Sequence, residues 1–251
     1  MEQRPVWGRF EELRPDQLEQ IVEQWPVAYW PLGLLEHHGW ALHVGFDGVK
    51  AVRFCERIAA ATGGVVLPCM WWGSHGGHGD FKWTFYQDPV VGERVLDVTT
   101  RKLIDFGFRA IVLHAGHYPW QGVLDKVLSP VRDEHPEVLF IWGTECTIGG
   151  EGLRDVPGDH AARWETSYGL ALLPDLVDTG ALREGRGLEA WPNATPPPEE
   201  RRYRGVVFDT QHPLFAQLGE DARKASAEDA EFHLSRIAET IIQKVRNHLS
   251  S

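Results

Sequence analysis

Apolar and polar positions along residues 27–178 predict strands and helices in alternating order. Four short apolar runs, each ending at Gly, are typical of buried parallel strands. They are VAYWPLG (27–33), VVLPCMWWG (65–73), AIVLHAG (110–116) and EVLFIWG (137–143). Helical spacing of apolar residues follows the first three runs, in FDGVKAVRFCERIAAATGG (46–64), GERVLDVTTRKLIDFGF (92–108) and QGVLDKVLSPVRDEHP (121–136). This order predicts a layered α/β fold around a mostly parallel sheet.

The remaining segments add helices and a loop but no second domain. Pro130 is expected to kink or shorten its helix, because proline lacks a backbone donor. Residues 162–178 predict a helix as far as Pro174, and the charged, Pro-rich stretch 191–205 predicts a surface loop. Residues 222–249 predict a long amphipathic helix on the outside. Because neither a repeat nor a linker divides the sequence, residues 1–251 are expected to form one domain.

Composition and charge exclude several classes of partner. Apolar residues make up 43% of the chain and charged residues 24%, as in globular proteins. No run approaches about 18 apolar residues, so no membrane span is expected. The net charge of −11 argues against binding to nucleic acid or anionic membranes. The charged N-terminus and three widely spaced cysteines without a CxxC pair predict a cytoplasmic protein with reduced thiols.

Polar residues of similar chemistry follow each of the four predicted strands. Glu36, His37, His38, His43 and Asp47 come after the first strand, and WWGSHGGHGD (71–80) comes after the second. HAGHYPW (114–120) and Glu145 follow the third and fourth strands. Ligands of parallel α/β sheets bind beyond the carboxyl ends of the strands. The sequence therefore predicts one site where these four loops meet.

Imidazole and carboxylate ligands in such a site indicate Zn, Mn or Fe. Two ions about 3.5–4 Å apart need a bridging carboxylate. Glu36 and His38 can face the same way if their segment is extended, whereas His37 would then point away as buried support. An alternative makes Asp47 a cap of the following helix and the histidines hydrogen-bonded structural residues. The whole set on strand ends favours metal binding.

Four blocks of the sequence resemble the signatures of the creatininase (creatinine amidohydrolase) family. They are PLGLLEHHGWALHVGFD (31–47), IVLHAGHYPWQG (111–122), DHAARWETSYGLALLPDLVD (159–178) and EDARKASAEDAEF (220–232). The blocks are collinear, and the resemblance spans residues 27 to about 245. It implies a three-layer sandwich with helices on both sides of the sheet, a metal-dependent hydrolase, and assembly into a homo-oligomer, a hexamer in the family.

The resemblance also implies a set of metal ligands. Family members bind two divalent ions, and the matching ligands here are Glu36, His38, Asp47 and His117, with Asp47 bridging. Pro119 stands where creatininase has a further Glu, so Glu165 is predicted to be the fifth ligand. His114 replaces the Asn of the family's second block, and it is either a hydrogen-bond donor to a ligand or an additional ligand.

His160 matches the proton-transfer residue of creatininase, and Asp159 beside it is predicted to orient its imidazole. The alternative for His160 is a cap interaction at the start of the helix at 162–173. In the predicted reaction, a metal-activated water attacks a carbonyl of a small cyclic substrate, and His160 donates a proton to the leaving nitrogen. A non-peptide C–N bond is the expected target.

Aromatic residues near the metal blocks suggest an alternative substrate. The predicted substrate contacts are Trp40, Trp71, Trp72, His75, His78, Trp83, Trp120 and Trp164. Flat aromatic faces suit a hydroxylated ring, so a keto-sugar or keto-inositol cleaved at a C–C bond is a second hypothesis. The tryptophans could instead be core or subunit contacts. A third hypothesis is an inactive metal-binding scaffold.

Overall fold

A five-stranded parallel sheet forms the centre of the computed structural model, which describes residues 4–150, 156, 158–184, 190–192 and 195–250. The strands are β1 (Trp7–Arg9), β2 (Val27–Leu32), β3 (Gly64–Val66), β4 (Ala110–Ala115) and β5 (Leu139–Gly143). Their order is β1-β3-β2-β4-β5, and each neighbouring pair is parallel. The predicted mostly parallel sheet is confirmed.

Helices cover both faces of this sheet. They are α1 (Pro15–Gln24), α2 (Phe46–Thr62), α3 (Pro89–Asp105), α4 (Trp120–Glu134), α5 (Arg163–Leu172) and α6 (Ala227–Leu249). Successive side chains of a strand point to opposite faces, so each strand supplies two cores. Val27 and Tyr29 pack with α2, α5 and α6, whereas Ala28 and Trp30 pack with α1, α3 and α4. The resulting three layers confirm the predicted sandwich.

The bounds of several elements differ from those predicted. The second apolar run contributes only the short β3, and beyond it a single bridge joins Met70 to Leu32. α4 includes Pro130 and ends at Glu134. α6 begins at Ala227, after a separate 3-10 turn, because the Ser226 hydroxyl caps it by accepting a hydrogen bond from the Asp229 amide.

The N-terminal elements β1 and α1 were not among the predicted elements. β1 is only three residues long and partly buried, so it shows no apolar run. In the predicted surface loop 191–205, residues 193–194 lie outside the described residues, and Trp191 is buried against Phe81 and Phe215. No helix in the described ranges has the length and apolar character needed to cross a membrane.

Close packing at the ends of the strands brings α2 against the loop that follows β4. A Cβ atom added at Gly116 would lie 2.1 Å from the carbonyl oxygen of Asp47. A Cβ atom at Gly33, after β2, would lie 2.3 Å from the Cα of Gly48. Glycine is therefore required at both positions, and it brings the first turn of α2 between two strand ends.

Candidate metal centre

The five predicted ligands converge at the carboxyl ends of the strands. Glu36 and His38 lie after β2, Asp47 lies in the first turn of α2, His117 follows β4, and Glu165 lies in the first turn of α5. Each of the five residues is at most 5% exposed. Since burying a charged group is costly unless it is paired or coordinates a metal, this cluster requires a specific role.

Asp47 lies between two groups of candidate ligands. One group is Glu36, Asp47 and His117, and the other is His38, Asp47 and Glu165; a third group, without Asp47, is Glu36, His38 and His160. The candidate ligand atoms of each group lie within 4.8 Å of one another. The Asp47 carboxylate has one oxygen 3.1 Å from His38 Nε2 and the other 3.4 Å from His117 Nδ1. Two ions bound in these groups would therefore share one carboxylate, as a dinuclear centre requires.

Backbone carbonyls fix the orientation of the two ligand imidazoles. His38 Nδ1 donates to the carbonyl of Glu36 at 3.0 Å, and His117 Nε2 donates to the carbonyl of His75 at 2.9 Å. Because a carbonyl can only accept, the proton is held on that nitrogen and the other nitrogen faces the carboxylates. Metal-ligating histidines are oriented in the same way.

Four buried carboxylate oxygens accept no hydrogen bond from any described residue: Glu36 Oε2, Asp47 Oδ2 and both oxygens of Glu145. Those of Glu36 and Asp47 face His117 Nδ1, at 3.0 and 3.4 Å, and Glu145 Oε1 faces the ammonium of Lys50. The other Glu36 oxygen accepts a hydrogen bond from Tyr86, and Glu165 Oε2 accepts one from the Ala161 amide at 2.7 Å. Buried oxygens without a donor are rare in folded proteins, and a cation bound between Glu36 and Asp47 would satisfy the oxygens of these two residues.

The pKa values of the candidate ligands are shifted, as expected of carboxylates and imidazoles that are buried together around a cation site. Burial raises the pKa of Glu165 to about 8. Burial opposes protonation of His38, but the Asp47 carboxylate more than reverses this and raises the pKa of His38 to about 9. Burial likewise raises the pKa of Glu36, and the facing His117 lowers it below its usual value. In the absence of an ion, protonated imidazoles supply the positive charge that these carboxylates need.

His160 presents one free ring nitrogen to the cluster. Its Nε2 donates to the carbonyl of His37 at 2.8 Å, and its Nδ1 lies 3.9 Å from Glu36 Oε2. The ring stacks on His78, with centroids 3.6 Å apart, and His78 Nε2 donates to the Ala216 carbonyl. Burial lowers the pKa of both His160 and His78 well below the usual value, so both rings are neutral at pH 7. His160 Nδ1 can therefore accept a proton.

The orienting role predicted for Asp159 is not what the hydrogen bonds show. Its carboxylate accepts from the backbone amides of Trp164 and Glu165, at 2.7 and 3.1 Å. Asp159 thus satisfies donors at the start of α5, and the carbonyl of His37 orients His160 instead. The predicted alternative for His160, a cap of the same helix, is not formed, because Asp159 accepts from the amides of the first turn while the His160 ring bonds to the carbonyl of His37.

Asp47 does not cap α2. The N-cap residue is Gly45, without a side-chain hydrogen bond, and the Asp47 carboxylate instead bonds to the ring of His38. The ring of His37 packs against Trp40, Phe81 and Phe215, as expected of buried support.

A cavity of about 480 Å³ opens onto the candidate ligands. Its lining includes Glu36, His75, His78, His117, Tyr118, Pro119, Asp159, His160, Glu165, Tyr203 and Leu218. The cavity therefore contains two of the predicted substrate contacts, His75 and His78, and both predicted catalytic residues.

None of the six tryptophans predicted to contact substrate is among the described residues that line this cavity. Trp120 is 2% exposed in the core and donates to the carbonyl of Gly33, and Trp71 packs against Gly48. Trp40 stacks on Phe215, and Trp164 packs with Tyr168. Trp72 and Trp83 are 48% and 60% exposed. In a single chain the predicted contacts of these tryptophans with a substrate are not formed, because their indole rings pack in the core or face outwards.

Three residues outside the predicted set lie at the site. Lys50 is buried beside Glu165, Tyr86 bonds to Glu36, and Tyr118 lines the cavity. Lys50 follows Asp47 by three residues and therefore shares its helix face, which was a detectable signal. Tyr86 lies in a loop that contains neither helix nor strand, so its position could not be predicted.

The fold and this cluster together define an α/β protein with a candidate dinuclear metal centre. A family model described as "Creatininase: Creatinine amidohydrolase" matches residues 11–245. The chain belongs to the creatininase family.

It is 30% identical over 173 residues to a creatinine amidohydrolase of Pseudomonas putida, covering 61% of this chain and 66% of the relative. It is 29% identical over 205 residues to a 3-dehydro-scyllo-inosose hydrolase of Thermotoga maritima, covering 73% of this chain and 65% of the relative. The chain thus spans just under two thirds of the length of these relatives.

Solved structures show the same fold. A crystal structure of creatinine amidohydrolase (creatininase) superposes with a TM-score of 0.72 at 24% identity and covers 97% of both chains. A putative creatinine amidohydrolase from Bacteroides fragilis superposes with a TM-score of 0.65 at 18% identity, covering 98% of this chain and 97% of the other. At these identities the likeness establishes the fold alone.

Proposed function

We propose that this protein is a hydrolase that uses two divalent metal ions bound at the candidate centre. One ion would be held by Glu36, Asp47 and His117, and the other by His38, Asp47 and Glu165. The observation that carries the proposal is the buried Asp47 carboxylate shared between two ligand groups, with one of its oxygens lacking any described donor. A structural ion pair would have no need of two such groups.

The ligand chemistry is consistent with Zn, Mn or Fe, because imidazole and carboxylate suit all three. One related creatininase structure is described as an Mn form and another as a Zn–Zn form. These two names support a divalent ion in the present site without selecting between the metals.

When bound, the two ions would lower the pKa of a water molecule and polarise the carbonyl of a substrate. The protein's own contribution is proton transfer at His160. Its Nδ1 is unprotonated, because Nε2 carries the proton donated to the His37 carbonyl. His160 can therefore take a proton from the attacking water and then deliver it to the leaving group. His78, stacked on the same ring, restricts His160 to this orientation.

The proposed substrate is a small cyclic molecule with a carbonyl group, cleaved at a non-peptide C–N bond. A cavity of about 480 Å³ limits the substrate to a small molecule. The name of the Pseudomonas putida relative, creatinine amidohydrolase, supports an amide bond of this kind. Breaking a C–N bond requires a proton donor at the leaving nitrogen, a role that suits His160.

A second candidate is ring opening of a keto-inositol or keto-sugar at a C–C bond. The name of the Thermotoga maritima relative, which aligns with more of this chain, favours it. The polar lining of the cavity also favours it, since His75, His78 and Tyr203 offer hydrogen-bonding groups to ring hydroxyls.

The test is a substrate panel assayed with protein reconstituted with Zn, Mn or Fe. Cyclic amides and oxidised inositols are incubated separately, and released ammonia or amine and newly formed carboxylate are measured. Nitrogen release supports the amide proposal, and carboxylate without nitrogen loss supports the ketone alternative. Metal-loaded protein that cleaves neither class would indicate the inactive scaffold, and full activity in metal-free protein would refute the metal-dependent proposal.

A further inference from the structure

A lysine ammonium lies buried directly behind the candidate metal centre. Lys50 is 0% exposed and lies on α2, one helical turn after Asp47. Its Nζ donates to the carbonyl of Gly116 at 3.1 Å. It lies 3.2 Å from Glu145 Oε1 and 3.7 Å from Glu165 Oε1. One side chain therefore connects α2 with the ends of β4 and β5 and with the start of α5.

Three aromatic rings complete the surroundings of this ammonium. Its Nζ lies 4.9 Å from the ring centroid of Phe46, 5.3 Å from that of Tyr118 and 5.7 Å from that of Tyr168. Aromatic faces attract a cation most strongly where water is excluded. The carboxylates of Glu145 and Glu165 keep the pKa of Lys50 above its usual value despite burial. Lys50 is therefore a permanent positive charge in the interior.

The two oxygens of Glu165 have different environments because of Lys50. Oε1 faces the ammonium, whereas Oε2 accepts from the Ala161 amide and lies 3.6 Å from His38 Nε2. Rotation of this carboxylate would break its contacts on both sides. Oε2 is thereby directed towards the group of His38 and Asp47, where a metal ligand is needed.

Glu145 and His114 lie on the far side of the ammonium. Both residues are 0% exposed, and His114 Nε2 lies 3.4 Å from Glu145 Oε1. His114 packs on the ring of Phe54 and belongs to none of the candidate ligand groups found among the described residues. Glu145 thus shares Lys50 with Glu165, and His114 supports Glu145.

We propose that Lys50 is a positioning residue that sets the metal affinity of the His38, Asp47 and Glu165 group by holding the Glu165 carboxylate. This inference rests on the proposed metal-dependent function, since it concerns one of the two proposed ion positions. Lys50 itself does not line the cavity, and its hydrogen bond and ion pairs reach neither Glu36 nor His117. Its effect should therefore appear at one ion and not at both.

The test removes the ammonium together with its partner charge. Lys50→Met alone would leave Glu145 buried without its cation, which is strongly destabilising, so the main variant combines Lys50→Met with Glu145→Gln. Metal binding to the apo-protein is measured by titration calorimetry, and folding is measured by the melting temperature without metal. The expected result is roughly 10–100-fold weaker binding of one ion, the usual effect of losing a partner of a ligand, and little change for the other.

Glu145→Gln alone is the second variant, because it keeps the ammonium and is the smaller change. With Glu145 neutral, the Lys50 ammonium loses its nearest carboxylate, at 3.2 Å, and is held less firmly beside Glu165. We expect weaker binding of the same ion, roughly tenfold. Adding the Lys50→Met and Glu145→Gln changes to a Glu165→Gln protein should have little further effect, because coupled residues are not additive.

The surface pair of Lys126 and Glu93 provides the matched control. Its Nζ–Oε1 distance is 2.6 Å, Lys126 is 67% exposed, and its Lys126→Met and Glu93→Gln double variant should bind both ions normally. Wild-type affinity for both ions in the folded Lys50 and Glu145 variants would overturn the inference, as would equal weakening of both ions. Wild-type protein that binds no ion would instead overturn the proposed function.

Discussion

Replacement of Asp47 by Asn tests whether this carboxylate serves both candidate ligand groups. Asn keeps the size and shape of the side chain but removes the negative charge between His38 and His117. Asp47 is 1% exposed, so water cannot reach this position to compensate for the loss of the negative charge. We therefore expect Asp47→Asn to weaken the binding of both ions together, whereas loss of a ligand belonging to one group would weaken mainly one ion.

The expected magnitude follows from the coupling of metal binding to folding. An ion present at 100 times its dissociation constant stabilises the folded chain by about 2.7 kcal/mol. For a chain of this size, 1 kcal/mol changes the melting temperature by about 2–4 °C. Each ion should therefore raise the melting temperature of the wild type by about 5–11 °C, and Asp47→Asn should lose about 11–22 °C of metal-dependent stabilisation.

The assay compares melting temperatures with and without metal and counts the ions bound per chain. Measuring the difference removes the effect of the substitution on the metal-free fold, where the Asp47 carboxylate also balances the charge of His38. Asp88→Asn is the matched control, because Asp88 caps α3 and Asn caps equally well. If Asp47→Asn still holds two ions and keeps the full metal-dependent shift, the bridging role is refuted.

Four further predictions concern proton transfer, the pH dependence of metal binding, the pH dependence of stability, and assembly. His160→Gln should slow turnover by roughly 10²–10⁴-fold while both ions stay bound, and loss of an ion by elemental analysis would instead make His160 a ligand. The pKa values of His38 (about 9) and Glu165 (about 8) are raised, so metal binding must displace protons from both side chains. Metal affinity should therefore rise from pH 7 to 9, and calorimetry in different buffers should detect the released protons. In metal-free protein, protonated His38 stabilises the fold fully below about pH 6.5, and this contribution should be lost as the pH rises through about 9. A melting temperature that stays constant over this pH range would contradict the prediction. Light scattering should show a homo-oligomer of the 28.4 kDa chain, expected to be a hexamer, because Trp72 and Trp83 are exposed, and a stable monomer would contradict this.

The positions of the ligands could be predicted from the sequence because parallel strands end at one edge of the sheet. Glu36 and Asp47 lie far from His117 in sequence, but all three follow or adjoin a strand end. The apolar runs located those ends to within a few residues, except where β3 proved shorter than its run. The short β1 escaped prediction because a three-residue, partly buried strand has no periodicity to detect.

The direction of individual side chains could not be predicted in the same way. The tryptophans were assigned to the substrate because they adjoin the metal blocks in sequence, but neighbouring residues point to different sides of a loop. Trp120 and Pro119 are adjacent, yet Trp120 enters the core and Pro119 lines the cavity. Asp159 was assigned to His160 for the same reason, whereas its partners are the amides of α5.

The departures of this chain from the family pattern can be explained together. Where the family resemblance predicts a Glu ligand after His117, this chain has Pro119, which has no donor atom in its side chain. In the proposed site Glu165 supplies the missing oxygen from a different element, α5, and a carboxylate that comes from another helix needs neighbouring residues to orient it. Lys50 lies behind that carboxylate, Glu145 pairs with Lys50, and His114 lies against Glu145. The proposed change of ligand would explain why three buried polar residues, Lys50, Glu145 and His114, lie in one row behind the candidate centre.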